Sequence, residues 1–166
     1  TVLARESLLH YERPVLEDGV ISFEAFYVPG EFEVHPAIGR FAVVLQPTGA
    51  LLHELTDGEY EIFGRAMANS LPIADGAESV SLKQNEWNNI TLTIEGDQLS
   101  VSVNEDAVAK LTLVDPVEER FFGLFRYSNK TKARVRKIRW RGEWPKTLPS
   151  VEDQELAGGP VVVTGQ

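Results

Sequence analysis

Hydrophobic and polar residues alternate along most of this chain, and a period of two is typical of half-buried β-strands. The pattern is clearest from Trp87 to Asn104, where Ile90, Leu92 and Ile94 alternate with polar residues. Gly96-Asp97 then turns the chain before a second alternating run. Strands are predicted at residues 20–28, 41–46, 50–55, 59–63, 87–95, 99–103, 108–113, 121–127 and 134–141.

Turn residues separate these runs, as expected when short antiparallel strands follow one another. Examples are Asp18-Gly19, Pro29-Gly30 and Asp57-Gly58. No segment has the apolar stripe of a helix, and one helical turn at 116–120 is the most that the sequence supports. The chain is therefore predicted to be all-β, with its apolar positions filling the space between two stacked sheets.

The character of the sequence changes at Trp144, which suggests a domain of residues 1–145 followed by a tail of residues 146–166. The tail contains Pro149, Pro160 and Gly158-Gly159, and residues 151–156 are acidic. Residues 161–163 are three valines that could add to a sheet edge. We expect this tail to dock on the sandwich or on a neighbouring domain.

Composition excludes several classes of function. With no cysteine, the chain can form no disulfide, zinc–thiolate site or catalytic thiolate. A net charge of −9 opposes binding to nucleic acid, and no apolar run is long enough to insert into a membrane. Residue 1 is Thr and no signal peptide follows, so we expect a piece of a longer protein. The compartment stays open, and export or association with a bacterial cell envelope is one expectation.

Two predicted pairs of strands resemble parts of a known superfamily. The hairpin of residues 87–104, with Trp87 entering the strand and Asn104 near the next turn, resembles the signature hairpin of concanavalin A-like and laminin-G-like domains. Residues 122–125 and 133–142 resemble their closing pair of strands. Residues 1 to about 150 also look like an uncharacterised domain of large planctomycete proteins.

This resemblance implies a two-sheet antiparallel jelly-roll sandwich with a concave and a convex sheet. Relatives of this kind include lectins, laminin-G modules and glucanases, so the fold leaves the function open. Glucanases of the superfamily carry Glu-x-Asp-x-(x)-Glu on one strand, and this motif is missing here. Calcium is a possible cofactor on the same resemblance, although no dense Asp/Asn loop marks a site.

Paired carboxylates are the signature to seek for glycoside hydrolysis. Glu59 and Glu61 lie two apart and would sit about 7 Å from one another on one strand face. Glu31 and Glu33 form a similar pair beside His35. A solvated strand face in an acidic chain explains both pairs, so a hydrolase with Glu59 and Glu61 as acid and base is the alternative hypothesis.

Eight basic residues between Arg126 and Arg141 are the most unusual feature of an acidic chain. Arginines beside Tyr127 and Trp140 could bind an anionic sugar or an acidic partner. Ion pairs with carboxylates on adjacent strands explain the same pattern without a ligand. Trp87 and Trp140 occupy positions typical of a core, whereas Trp144 could hold the tail on the sandwich.

These observations favour a non-catalytic binding module that recognises carbohydrate, or a neighbouring protein domain, through its concave sheet. A structural domain that mediates assembly is a further alternative. The three histidines are far apart in sequence, and His53 reads as an ordinary strand histidine as readily as a ligand. The residues predicted to bind the ligand are Glu24, Arg40, His53, Arg126, Tyr127 and Arg139.

Overall fold

A computed structural model describes residues 6–55, 70–74 and 76–143 of the chain. These residues form two stacked antiparallel sheets, and their one helical element is a short 3₁₀ turn at Val117–Glu119. The prediction of an all-β, two-sheet jelly-roll sandwich is therefore confirmed.

Six strands form the first sheet. In spatial order they are β1 (Glu6–Pro14), β10 (Phe121–Tyr127), β3 (His35–Ile38), β4 (Phe41–Gln46), β5 (Gly49–Glu54) and β6 (Ser70–Pro72). The second sheet has five strands, in the order β11 (Val135–Gly142), β2 (Gly19–Tyr27), β7 (Glu86–Glu95), β8 (Gln98–Val103) and β9 (Asp106–Thr112).

Alternation in the sequence identified the strands that bury one face. The β2, β7 and β8 strands alternate between buried and half-exposed residues almost throughout, as their sequences predict. The predicted strand at 59–63 lies outside the described residues. The sequence missed β1, β3 and β6, because β1 is largely exposed, β3 is buried at all four positions and β6 has three residues.

The main core fills the space between the sheets. Phe23 and Ile21 of β2 pack there with Leu92 and Ile90 of β7, all almost fully buried. Val43 and Leu45 of β4 contribute from the opposite sheet. Trp140 packs against this cluster, as predicted, and remains half-buried at the sheet edge.

A second apolar cluster lies on the outer side of the six-stranded sheet. Ala42 and Val44 alternate with the inward-facing Val43 and Leu45, and Phe125 joins them from β10. All three are buried, so the centre of this outer face is shielded from solvent. The outer face of the five-stranded sheet is more open and polar, with half-exposed or exposed residues at alternate positions of β2, β7 and β8.

Candidate functional site

The six residues predicted to bind a ligand are spread over the molecule. Glu24 lies on the outer face of the five-stranded sheet, and Arg40 lies in the turn between β3 and β4. His53 and Tyr127 face outward from the six-stranded sheet, with ring centroids 6.0 Å apart. Arg126 is the penultimate residue of β10, and Arg139 lies on the edge strand β11. The structure thus brings His53 and Tyr127 into contact and places the other four elsewhere.

His53 belongs to a buried polar network. Its side chain is fully buried, its Nε2 lies 2.6 Å from Oε1 of Glu6, and its Nδ1 lies 2.8 Å from Oγ of Ser70. The ring also packs on Phe125, with centroids 5.0 Å apart. Every polar atom of His53 is therefore occupied within the protein, which suits a structural role better than a ligand contact.

His35 is the second buried histidine on this sheet. Its Nδ1 accepts a hydrogen bond of 3.2 Å from the backbone N–H of Leu45. The strands β3 and β4 pair at only two positions, Ala37 with Ala42 and Ile38 with Phe41, so their ladder does not extend to Leu45. Burial, assisted by the nearby His53, lowers the pKa of His35 to about 4. A neutral ring is required here, since a protonated Nδ1 could not accept this hydrogen bond.

Two of the three predicted arginines, Arg40 and Arg126, make contacts that support turns. The backbone N–H of Arg40 donates to Oδ2 of Asp115 at 3.1 Å, and its guanidinium reaches the carbonyl of Leu55. The Nη1 of Arg126 donates to the carbonyl of Thr131 at 2.6 Å. These contacts order backbone that would otherwise have unsatisfied polar groups.

Glu24 forms ion pairs with two cations of the basic stretch between Arg126 and Arg141. Its carboxylate accepts hydrogen bonds from Lys137 at 2.7 Å and from Arg136 at 2.5 Å. These hydrogen bonds, from Lys137 first and then from Arg136, lower the pKa of Glu24. A bulge between Arg136 and Arg139, with Lys137 at a φ of 55°, lets both cations reach the same carboxylate. The intramolecular interpretation therefore holds for these two cations.

Three half-buried aromatic rings lie beside this pair, and we call Phe26, Phe32 and Trp87 the aromatic shelf. Phe26 and Trp87 are paired across β2 and β7, with ring centroids 5.4 Å apart and an edge-to-face orientation. Phe32 approaches Phe26 from the following loop, at 6.1 Å. The prediction that Trp87 packs in the core is wrong. Asn88 points inward instead, and successive residues of a strand face opposite sides.

Two arginines of β11 and the preceding loop lie on the aromatic shelf. The guanidinium carbon of Arg134 is 4.4 Å from the ring centroid of Phe32 and 5.0 Å from that of Phe26. The guanidinium carbon of Arg136 is 4.0 Å from the ring of Trp87. The side chain of Arg134 is exposed and makes no hydrogen bond or ion pair with any described residue, and its guanidinium lies over the rings of Phe26 and Phe32.

A row of small polar side chains continues from the shelf along the same outer face. Ser22 of β2 is opposite Thr91 of β7, and Thr91 is opposite Ser102 of β8. Thr93 and Ser100 form the next pair. Hydroxyl groups of this kind both donate and accept hydrogen bonds. The face therefore combines aromatic rings, exposed guanidinium groups and hydroxyls.

The sequence did not identify the shelf as one site. Trp87 and the arginines were noticed separately, but pairing Arg136 with Glu24 and Trp87 with Phe26 depends on which strands are neighbours. Phe32 reaches the shelf from a loop held by its backbone bridge to Lys132. No local sequence pattern predicts the contact of Phe32 with Phe26.

A crevice of about 450 Å³ opens at one side of the sandwich, between the edge strands β1 and β11. Its walls are mainly apolar, and Leu124 and Ile21 of the core form part of them. Charged residues also line it, including Arg139 from the predicted set. The remaining lining residues include Leu9, Tyr11, Arg13, Glu17, Ile138, Trp140 and Glu143.

The described residues provide no evidence for a catalytic carboxylate pair or a metal site. Glu59 and Glu61 lie outside them, so that pair remains a prediction. Glu33, of the other pair, accepts a hydrogen bond from the N–H of Gly30 and closes a turn. Within residues 6–55, 70–74 and 76–143, no three His, Asp or Glu side chains are grouped to hold a metal ion, and calcium also remains a prediction. The same residues include no helix able to cross a membrane.

Comparisons with known proteins agree with this fold. A family model described as a domain of unknown function, DUF1583_N, matches residues 3–147. No curated protein matches the sequence. Among solved structures, the carbohydrate binding module CBM66 from Bacillus subtilis is similar, with a TM-score of 0.54, 13% identity and 82% of each chain covered.

Two galectins are also similar in structure. Sheep galectin-11, in a complex with glycerol, has a TM-score of 0.56 and 9% identity, and the match covers 84% of this chain and 99% of the galectin. A human galectin-16 variant has a TM-score of 0.56 and 7% identity, covering 82% and 95%. At such low identity, these similarities establish the fold alone. The narrower resemblances to concanavalin-type, laminin-G and planctomycete domains stay predictions.

Proposed function

Because this chain belongs to the DUF1583_N domain family and shares its sandwich fold with a carbohydrate binding module, we propose that it is a non-catalytic module that binds carbohydrate. The observation that carries the proposal is Arg134, stacked on Phe26 and Phe32 with no carboxylate partner among the described residues. The binding surface is then the aromatic shelf with its neighbouring hydroxyls, on the outer face of the five-stranded sheet.

The chemistry of this surface suits a sugar that carries carboxylate or sulfate groups. A guanidinium held against a ring loses little freedom when it binds, and its fork of N–H donors matches a carboxylate or sulfate. The half-exposed edges of Trp87 and Phe26 offer apolar surface for a sugar ring, while Ser and Thr hydroxyls can bond its hydroxyl groups. The net charge of −9 would repel a polyanion elsewhere on the molecule, which favours binding at this basic site.

The outer face of the six-stranded sheet is the less suitable surface. Its central residues Phe125, Val44 and Ala42 are buried, and His53 is fully hydrogen bonded. A ligand there would first have to displace packed apolar groups. We therefore assign the proposed site to the other sheet, with Glu24 positioning Arg136 and Lys137 beside it.

The test is a glycan array followed by calorimetry, using neutral, carboxylated and sulfated polysaccharides. We expect binding to the charged members, and a loss of affinity of tenfold or more in both Arg134→Ala and Trp87→Ala, because each removes a direct ligand contact. Arg13→Ala is the matched control, since Arg13 is an exposed cation on β1 in the other sheet. Circular dichroism would establish that each variant is folded.

Three outcomes have distinct meanings. If the wild-type chain binds no glycan, the carbohydrate proposal is wrong. Binding that is insensitive to Arg134→Ala and Trp87→Ala removes the aromatic shelf as the site. An equal preference for neutral sugars would contradict the assignment of an anionic ligand.

A further inference from the structure

The crevice between β1 and β11 exposes the interior of the sandwich. Leu9 is paired with the core residue Leu124, and Trp140 with the core residue Ile21, so both lie on inward-facing positions of their sheets. Nevertheless Leu9 is 71% exposed, and Ile138, two residues before Trp140, is 54% exposed. Apolar side chains that line an open core are expected to bind a further apolar surface.

We propose that the occupant of this crevice is the C-terminal segment of the same chain, residues 144–166. Glu143, the last described residue, lines the crevice, and Trp144 follows it directly. The nine residues of β1 span about 30 Å, and the thirteen residues from Trp144 to Leu156 extend to about 40 Å. The segment is thus long enough to follow the crevice from one end to the other.

The composition of the segment matches the walls of the crevice. Apolar residues recur in its first thirteen residues, at Trp144, Leu148, Val151 and Leu156. The crevice has mainly apolar walls, and its lining arginines Arg13 and Arg139 are balanced by Glu17 and Glu143, so apolar contact rather than charge carries the match. Attachment to β11 also favours this occupant over a separate molecule, because a tethered segment has a high effective concentration at its site.

Paramagnetic broadening in the whole chain tests this proposal. The chain has no cysteine, so Ser150→Cys provides a single site for a spin label. With the label in place, we expect the amide signals of Leu9, Tyr11 and Ile138 to broaden, while that of Lys110, at the opposite sheet edge, stays sharp. Unbroadened signals at the crevice, or equal broadening at Lys110, would overturn the proposal.

Two further arms separate this occupant from others. When spin-labelled chain without isotope is mixed with unlabelled, isotope-enriched chain, we expect no broadening; broadening there would mean that a second copy fills the crevice and would overturn the proposal. Ile138→Asp should release the segment and restore sharp signals at Leu9 and Tyr11. Val114→Asp is the control, because Val114 is an exposed apolar residue that does not line the crevice. Persistent broadening in Ile138→Asp would also overturn the proposal.

Discussion

Asn88 illustrates how one buried polar side chain stabilises this fold. Its Oδ1 accepts hydrogen bonds from the N–H of Lys83 at 2.7 Å and from Nδ2 of Asn104 at 2.8 Å. Its Nδ2 donates to the carbonyls of Lys83 and Glu86. Asn104 continues the network to the carbonyl of Ser81 and the N–H of Asn89. Asn88 and Asn104 together therefore secure the loop before β7 to the turn after β8.

Stability at mildly acid pH should depend on His35. Its pKa of about 4 in the folded chain lies below the ordinary value of 6.5, so between these values the unfolded chain binds more protons than the folded chain. Stability is then complete above pH 6.5 and falls as the pH is lowered toward 4. We expect His35 to contribute a loss of about 2 kcal/mol between pH 7 and pH 5, measured by urea unfolding.

His35→Gln is the control for this pH dependence, because its amide oxygen can accept the hydrogen bond from Leu45 and it does not titrate. The difference in unfolding free energy between pH 7 and pH 5 should be smaller in the variant than in the wild-type chain. An identical pH dependence in both would show that other groups cause it.

At the level of elements, β11 is held to β2 by contacts at both ends. One end carries the Glu24 ion pairs and the bulge at Lys137. At the other end Gly19 is paired with Gly142, and the indole of Trp140 lies against both glycines. A Cβ at Gly19 would lie 2.5 Å from Cη2 of Trp140. The indole fits here because neither Gly19 nor Gly142 has a side chain.

Gly19→Ala should therefore destabilise the protein by about 1–3 kcal/mol, as overpacking does in other cores. Urea unfolding measures the effect, and Ser22→Ala on the outer face of the same strand is the control with little expected change. In a Trp140→Leu background the cost of Gly19→Ala should fall. If it does not, the cost is set by the carbonyl oxygen of Arg141, which lies 2.8 Å from the same Cβ position, rather than by the indole.

In the molecule as a whole, the described residues form two apolar clusters and leave one sheet face polar. The inner layer lies between the sheets, and the outer cluster around Phe125 covers the far side of the six-stranded sheet. The polar outer face of the five-stranded sheet carries the aromatic shelf, and the crevice interrupts the rim between β1 and β11. The proposed carbohydrate site and the proposed docking site thus occupy separate surfaces.

This arrangement predicts that the outer cluster contributes to stability as the interior does. Phe125 is 0% exposed, so Phe125→Ala should cost about 3–5 kcal/mol in unfolding free energy, comparable with Phe23→Ala between the sheets. Leu9→Ala, at the exposed crevice, should cost much less. A cost for Phe125→Ala close to that of Leu9→Ala would contradict a second packed layer.

The sequence by itself determined the fold class and most of the strands. Alternation over β2, β7 and β8 is a local consequence of burying one face, and the turns between them have the expected glycine and aspartate residues. It also suggested that basic residues pair with acidic ones, which Glu24 confirms for Arg136 and Lys137. These features depend on residues close together in sequence or on general charge balance.

Only the tertiary structure decided which residues share a surface. The orientation of Trp87, the stacking of Arg134 and the burial of His53 depend on which strands are neighbours and on which sheet face is packed. Strand order brings Glu24 to residues more than 100 positions away, and no local pattern encodes such a pairing. The shelf and the crevice consequently emerge from the packing of the two sheets, because contacts between distant strands create both.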